Sequence, residues 1–208
     1  MRRYPPVFAP FALLFLATVL TACSSPGAFF GATDGQGFKP RGLSDANHAL
    51  VYLYRPQSQW ADDELEAPGL FINNHLNGAL PSNGFRVMEL EAASYQLEMR
   101  RPLMGSYWTL FAEGPMDFTR IASFALDAEV GETYYLRYDE INPPAHDEHF
   151  SVTGDGPLQM VSAKVALPEL AATHEVQAFE QIAADGENVR AQRGFWRWVG
   201  RQLDKIGI

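Results

Sequence analysis

The hydrophobic positions of this chain change their period as it is followed from the start. Residues 7–20 are almost wholly apolar, and residues 24–47 show no period at all. From residue 49 the apolar residues fall into strand-length runs and alternations: 49–55, 69–73, 76–80, 85–90, 95–100, 121–126, 133–138 and 158–164. Pro, Gly, Asn and acidic clusters separate them, as turns separate strands. Over 95–100 the alternation is clean, with Tyr95, Leu97 and Met99 on one face and Gln96, Glu98 and Arg100 on the other. That predicts an antiparallel sheet with one buried and one wet face. Asn73-Asn74-His75 predicts a hairpin turn, because Asn tolerates left-handed backbone angles. Residues 102–119 break the pattern and read either as a flap or as a segment folded over an open sheet edge. Past Pro168 the period lengthens: Leu170, Val176, Phe179 and Ile182 predict a helix over 168–182. A second helix is predicted over 191–206. The fold class expected is mainly β. It is an antiparallel β-sandwich-like domain with one helix after the last strand, over 49–183, followed by a basic amphipathic C-terminal helix, 184–208.

The front of the chain has its own logic. Met1-Arg2-Arg3 gives a positive start, and the apolar run of about 14 residues is too short to span a bilayer, which takes roughly 20. Small residues then lead to Cys23, the one cysteine of the chain. This is the layout of a secretory signal over 1–22. Leu20-Thr21-Ala22-Cys23 also resembles the lipobox of bacterial lipoproteins. That resemblance implies that the Cys23 thiol receives a diacylglyceryl group and becomes the first mature residue, with 23–48 a flexible tether behind it. Ser24, rather than Asp, at the second mature position is similar to enterobacterial lipoproteins sent to the outer membrane. A lone cysteine excludes an internal disulfide framework.

Charge changes the picture at the other end. Sixteen basic and 25 acidic residues give a net charge of −9, and loss of Arg2 and Arg3 with the signal takes it to −11. Residues 190–208 carry a net +4, whereas 23–189 carry −15. Such a body repels nucleic acid, and no nucleic-acid partner is expected. In the tail, Arg193, Arg197, Arg201 and Lys205 recur every four residues, with Phe195, Trp196, Val199, Leu203 and Ile206 roughly opposite. A cationic stripe facing an apolar one builds an interfacial helix, and Trp196 and Trp198 suit the headgroup boundary. The same helix could instead pack on its own acidic body or dock in a partner's groove.

Other candidate chemistry is thinner. His146-Asp147-Glu148-His149 has metal-ligand residue types, but it follows Pro143-Pro144 and lacks helical His-Glu-x-x-His spacing, so His146 and His149 read as members of a solvated acidic loop. Arg55, ending a Tyr52-x-Tyr54 strand, could present a guanidinium to a ligand beside those two rings, or pair with an acidic neighbour at a sheet edge. The serines lack a Gly-x-Ser-x-Gly context and there is no Gly-rich phosphate loop, so neither catalysis nor a cofactor is expected.

Taken together, the lipobox, the 51–56 strand Val-Tyr-Leu-Tyr-Arg-Pro, the 71–78 hairpin, the 131–137 strand Gly-Glu-Thr-Tyr-Tyr-Leu-Arg and the helix after the last strand resemble a family of small bacterial envelope lipoproteins defined as a domain of unknown function. The hairpin also resembles that of PEGA-type surface modules, which are small β-sandwich-like units. The resemblance implies a fold and a location, not an active site. The expectation is a non-enzymatic binding or scaffolding module, held at the membrane by the Cys23 lipid and meeting an envelope protein or cell-wall component. The alternatives are a glycan or small-molecule module using Tyr52, Tyr54 and Arg55, and a metal enzyme around His146 and His149.

Overall fold

A computed structural model describes residues 24–26, 35–102, 106–108, 119–154, 156–176 and 180–182. Two sheets face each other. The first is built around β2 (His48–Tyr54), flanked by β5 (Gly84–Glu91) and β9 (Thr133–Tyr138), with β10 (Leu158–Val161) beyond β9 and β11 (His174–Glu175) and β12 (Glu180–Ile182) along the far edge of β5. The second runs β4 (His75–Ala79), β3 (Gly69–Ile72), β6 (Ser94–Arg100) and β8 (Arg120–Asp127), antiparallel throughout. A separate short pair joins β1 (Ser24–Pro26) to β7 (Ser106–Trp108). Two helices are described, α1 (Gln59–Asp62) and α2 (Ala163–Leu170). The mainly β sandwich with a helix behind β10 agrees with the sequence reading.

The β3–β4 turn shows why the pattern was readable. Asn73 and Asn74 have φ of 50° and 69°. Two successive left-handed residues make the hairpin turn whose twist matches that of the flanking strands. Their side chains also work outside the turn: Asn73 Oδ1 accepts from Gln96 N at 2.9 Å, and Asn74 Oδ1 accepts from Arg100 Nη2 at 2.6 Å.

Between the sheets lie Val51 and Leu53 of β2, Leu70 and Ile72 of β3, Met88 and Leu90 of β5, Leu97 and Met99 of β6, and Phe124, Leu136 and Tyr138, all buried. The opposite face of the first sheet is buried as well. There Leu50, Tyr52, Tyr54, Phe85 and Val87 pack with Val165, Ala166 and Leu170 of α2 and with Phe38 and Leu43. β2 is therefore a central strand covered on both sides, which accounts for its unbroken apolar sequence.

The structure corrects several sequence expectations. β2 and β9 pair in parallel, Leu50 opposite Thr133 to Tyr54 opposite Arg137. A parallel pair needs a long crossover, and here the whole second sheet intervenes, so local pattern could not show it. The helix after the last strand spans Ala163–Leu170 rather than 168–182, starting behind Ser162 in extended conformation. The residues expected to continue it include β11 and β12, which run parallel along β5. The unpaired edge of β5 supplies backbone partners that a helix there would leave unused. The expected wet face of β6 is also mostly covered: Arg100 is 1 % exposed, ion-paired to Glu98, with its guanidinium 4.2 Å from the Phe71 ring centroid.

Finally, residues 35–47 are not free tether. Phe38 meets Tyr52 and Phe85 edge-on, each at 5.5 Å. Arg41 N donates to Tyr52 Oη at 2.7 Å, and Ser44 Oγ donates to the buried Glu89 carboxylate at 2.6 Å. At Gly35 the Glu175 carbonyl oxygen lies 1.7 Å from where a Cβ would stand, so only glycine fits that approach.

Candidate functional site

β2, β6 and β9 end, and β3, β5 and β8 begin, at the same end of the sandwich. The connections 56–68, 80–83, 101–119 and 139–157 leave from it, and Arg101 N donates to Thr119 O at 2.7 Å across the base of one of them. A cluster of four charges closes this end. Arg55 follows β2 in the first sheet, and Arg101 follows β6 in the second. Arg55 pairs with Glu64 at 2.7 Å and Glu140 at 3.4 Å, and Arg101 pairs with the same two carboxylates at 3.1 and 2.5 Å. Tyr138 donates its hydroxyl to Glu140 Oε1 at 2.7 Å, and the Arg55 guanidinium lies 5.2 Å from the Tyr138 ring centroid. Two arginines on two carboxylates balance in charge, so the cluster fixes loops 56–68 and 139–157 to both sheets and to each other.

Next to these carboxylates the same loops expose apolar side chains. Trp60 is 50 %, Leu65 76 % and Ile141 57 % exposed. Leu65 follows Glu64 and Ile141 follows Glu140, so the ion cluster holds the two side chains on adjoining loops.

A second buried network lies behind the first. Tyr54 donates to Glu169 Oε2 at 2.6 Å, Arg137 reaches the same oxygen at 2.9 Å, and Arg137 pairs with Asp139 at 3.0 Å. Asp139 Oδ1 accepts from Ile141 N and Asn142 N at 2.9 and 3.0 Å, which shapes the start of loop 139–157.

Tyr52, Tyr54 and Arg55 are each no more than 2 % exposed. They do not form an open ligand surface: the tyrosine rings point at the second core, and Arg55 points into its ion cluster. The unbroken apolar run of β2 points to two covered faces, and α2 with Phe38 and Leu43 covers the second. His146 and His149 are exposed, and Asp147 between them is buried as a loop anchor, accepting from Ser162 Oγ at 2.6 Å and His149 N at 3.1 Å. Those bonds, Ser162 first, hold its carboxyl below the ordinary carboxylate range. Among the described residues no group of three His, Cys, Asp or Glu is placed to hold a metal, and no helix is long and apolar enough to cross a membrane. Cys23 and the tail residues Arg193, Phe195, Trp196, Arg197, Trp198, Val199, Arg201 and Leu203 lie outside the described residues. Sequence reasoning did not bring Glu64 and Glu140 to one guanidinium. The available signal was an acid run beside exposed apolar residues in two loops, but their 76-residue separation hides the pairing.

The buried phenols make a prediction. Burial first, then Glu169, raises Tyr54 well above the ordinary value of 10.0; burial, then Glu140, does the same to Tyr138, and Tyr95 is pushed up to about 12, mainly by burial. The unfolded chain releases these protons near pH 10 while the folded one retains them. Their contribution to stability is thus complete below about pH 10 and falls as pH rises toward the folded values. In an alkaline titration these phenols should ionise together with loss of near-ultraviolet circular dichroism. Ionisation of every tyrosine near pH 10 with that signal intact would contradict this.

Comparison with the curated proteins and with solved structures finds no match. Residues 45–152, which hold both carboxylates of the ion cluster, both its arginines and Trp60, Leu65 and Ile141, match the model of a family described as a protein of unknown function (DUF2846), and the chain belongs to that family.

Proposed function

We propose that this protein is a bacterial envelope lipoprotein. Cys23 carries the lipid, and the domain acts as a non-enzymatic binding or scaffolding module on the periplasmic face of the outer membrane. The observation that carries this reading is Leu20-Thr21-Ala22-Cys23 behind an apolar run too short to span, joined to a compact domain whose buried Arg55 and Arg137 are each held by two carboxylates. The hairpin turning at Asn73-Asn74 supports kinship with PEGA-type modules.

The partner is an envelope protein or cell-wall component met through the aromatic segment 102–119 or through the tail, where Arg193, Arg197 and Arg201 oppose Phe195, Trp196, Val199 and Leu203. The test is crosslinking in native envelopes, comparing the full chain, a chain ending at residue 189 and Cys23→Ala. A discrete product lost on removal of 190–208 supports the reading. An undiminished product in the shortened chain contradicts the tail's role, and unchanged membrane association of Cys23→Ala contradicts the anchor.

A further inference from the structure

The lipoprotein reading says that the domain is held at a membrane but not which end faces it. Two features of the chain path bear on that. Ser24–Pro26, the residues directly after Cys23, pair with Ser106–Trp108, inside the connection 101–119 that leaves and rejoins the loop end. Gly37 then bridges to His174, and Glu175 N donates to Gln36 O at 2.9 Å. β11 lies beside Gly84 and Phe85, again at the loop end. Both sides of the short stretch 27–34 are thus tied to one end of the sandwich. From there 38–47 runs away from it toward His48. Only eleven residues separate Cys23 from Gly35, at most about 40 Å of fully extended chain.

At that same end stand Trp60, Leu65 and Ile141. Apolar side chains gathered in the open mark a contact surface. Indole suits the boundary between headgroups and acyl chains, and the branched aliphatics beside it suit shallow burial in that layer. The opposite end, at the turn 128–132, carries exposed Val130 among Asp127, Glu129 and Glu132.

From these observations we infer that the loop end faces the bilayer, and that Trp60, Leu65 and Ile141 form a second, non-covalent lipid contact beside the Cys23 anchor. The inference rests on the lipoprotein reading for the anchor itself. Asp62 and Asp63 are exposed next to Trp60, so the surface suits zwitterionic lipid and is weakened by anionic lipid. The covalent anchor supplies residence at the membrane, and the loop contact supplies orientation. It leaves the acidic far end directed away from the lipid.

The test uses the full lipidated chain, in which the Cys23 thiol is blocked by its lipid, so that one added cysteine takes a bimane label. Leu65→Cys, Ile141→Cys and Val130→Cys are each placed in phosphatidylethanolamine and phosphatidylcholine vesicles carrying nitroxide-labelled lipid. Quenching should be several-fold greater at 65 and 141 than at 130, and should fall as phosphatidylglycerol replaces the zwitterionic lipid. Equal quenching at all three positions on a chain whose mass confirms the lipid would overturn the orientation alone. So would protection of 65 and 141 only when envelope proteins are added, which would make the surface a protein contact. An unmodified Cys23 in the intact mass would overturn the anchor reading and this inference with it.

Discussion

Replacing Arg55 by methionine should cost about 3–5 kcal/mol, the typical penalty for stripping one partner from a buried ion pair. Arg55 is 2 % exposed and, among the described residues, is the one cation that reaches Glu64 and Glu140 from the first sheet. Methionine fills much of the same length but leaves the two carboxylates facing each other with Arg101 alone. The Arg101 side chain is 42 % exposed, so water screens much of what it contributes. Arg101→Met should therefore cost only about 0–1 kcal/mol. Against a total stability on the order of 5–15 kcal/mol, the Arg55 change should lower the melting temperature by about 10 °C or more. Adding Glu64→Gln and Glu140→Gln should restore a good part of the loss, because the uncompensated charge is the main source of the cost. Urea unfolding of the variants checks this. A loss at Arg55 no larger than that at Arg101 would mean that the cluster does not close the end of the sandwich.

Tyr52→Ala should be comparably damaging, at about 3–5 kcal/mol, the range for removing a large buried ring. Tyr52 lies on the face of β2 away from the inter-sheet core. Its ring stacks on Tyr135 at 5.4 Å with planes 7° apart and receives the edge of Phe38. Its hydroxyl accepts from Arg41 N and donates to Arg41 O at 3.2 Å. Tyr52→Phe keeps the ring and loses only those hydrogen bonds, for about 0.5–1.5 kcal/mol. The alanine variant should also become more sensitive to protease within 35–44, since Phe38 loses its seat. Were those residues a loose tether, the phenylalanine change would cost nothing and the protease pattern would not move.

These two residues show where pattern reasoning reaches and where it stops. Strand positions followed from local chemistry: alternation at Tyr95, Leu97 and Met99, Pro56 closing β2, and Asn73-Asn74 supplying two left-handed residues. The elements there agree with the structure to within a residue or two. What local chemistry cannot encode is what covers a strand. The unbroken apolar run of β2 points to two covered faces, but not to the elements, α2 with Phe38 and Leu43, that cover the face of Leu50, Tyr52 and Tyr54. The pairing of β11 and β12 with β5 has the same origin, since an open edge several dozen residues upstream supplies the hydrogen-bond partners. At the ion cluster the sequence offered the right alternative for Arg55, an acidic partner, but not its identity. Glu64 and Glu140 lie in acid-rich loops that resemble any solvated surface, and only the fold brings them to one guanidinium.

The lipid anchor is read most directly at the first residue of the mature chain. Intact mass of the protein purified from native envelopes, with fragmentation of its N-terminal peptide, reads that residue and any modification on it. The expected result is a chain that begins at Cys23 and carries the mass of a diacylglyceryl group there. A chain that begins elsewhere, or begins at Cys23 with a free thiol, would contradict it.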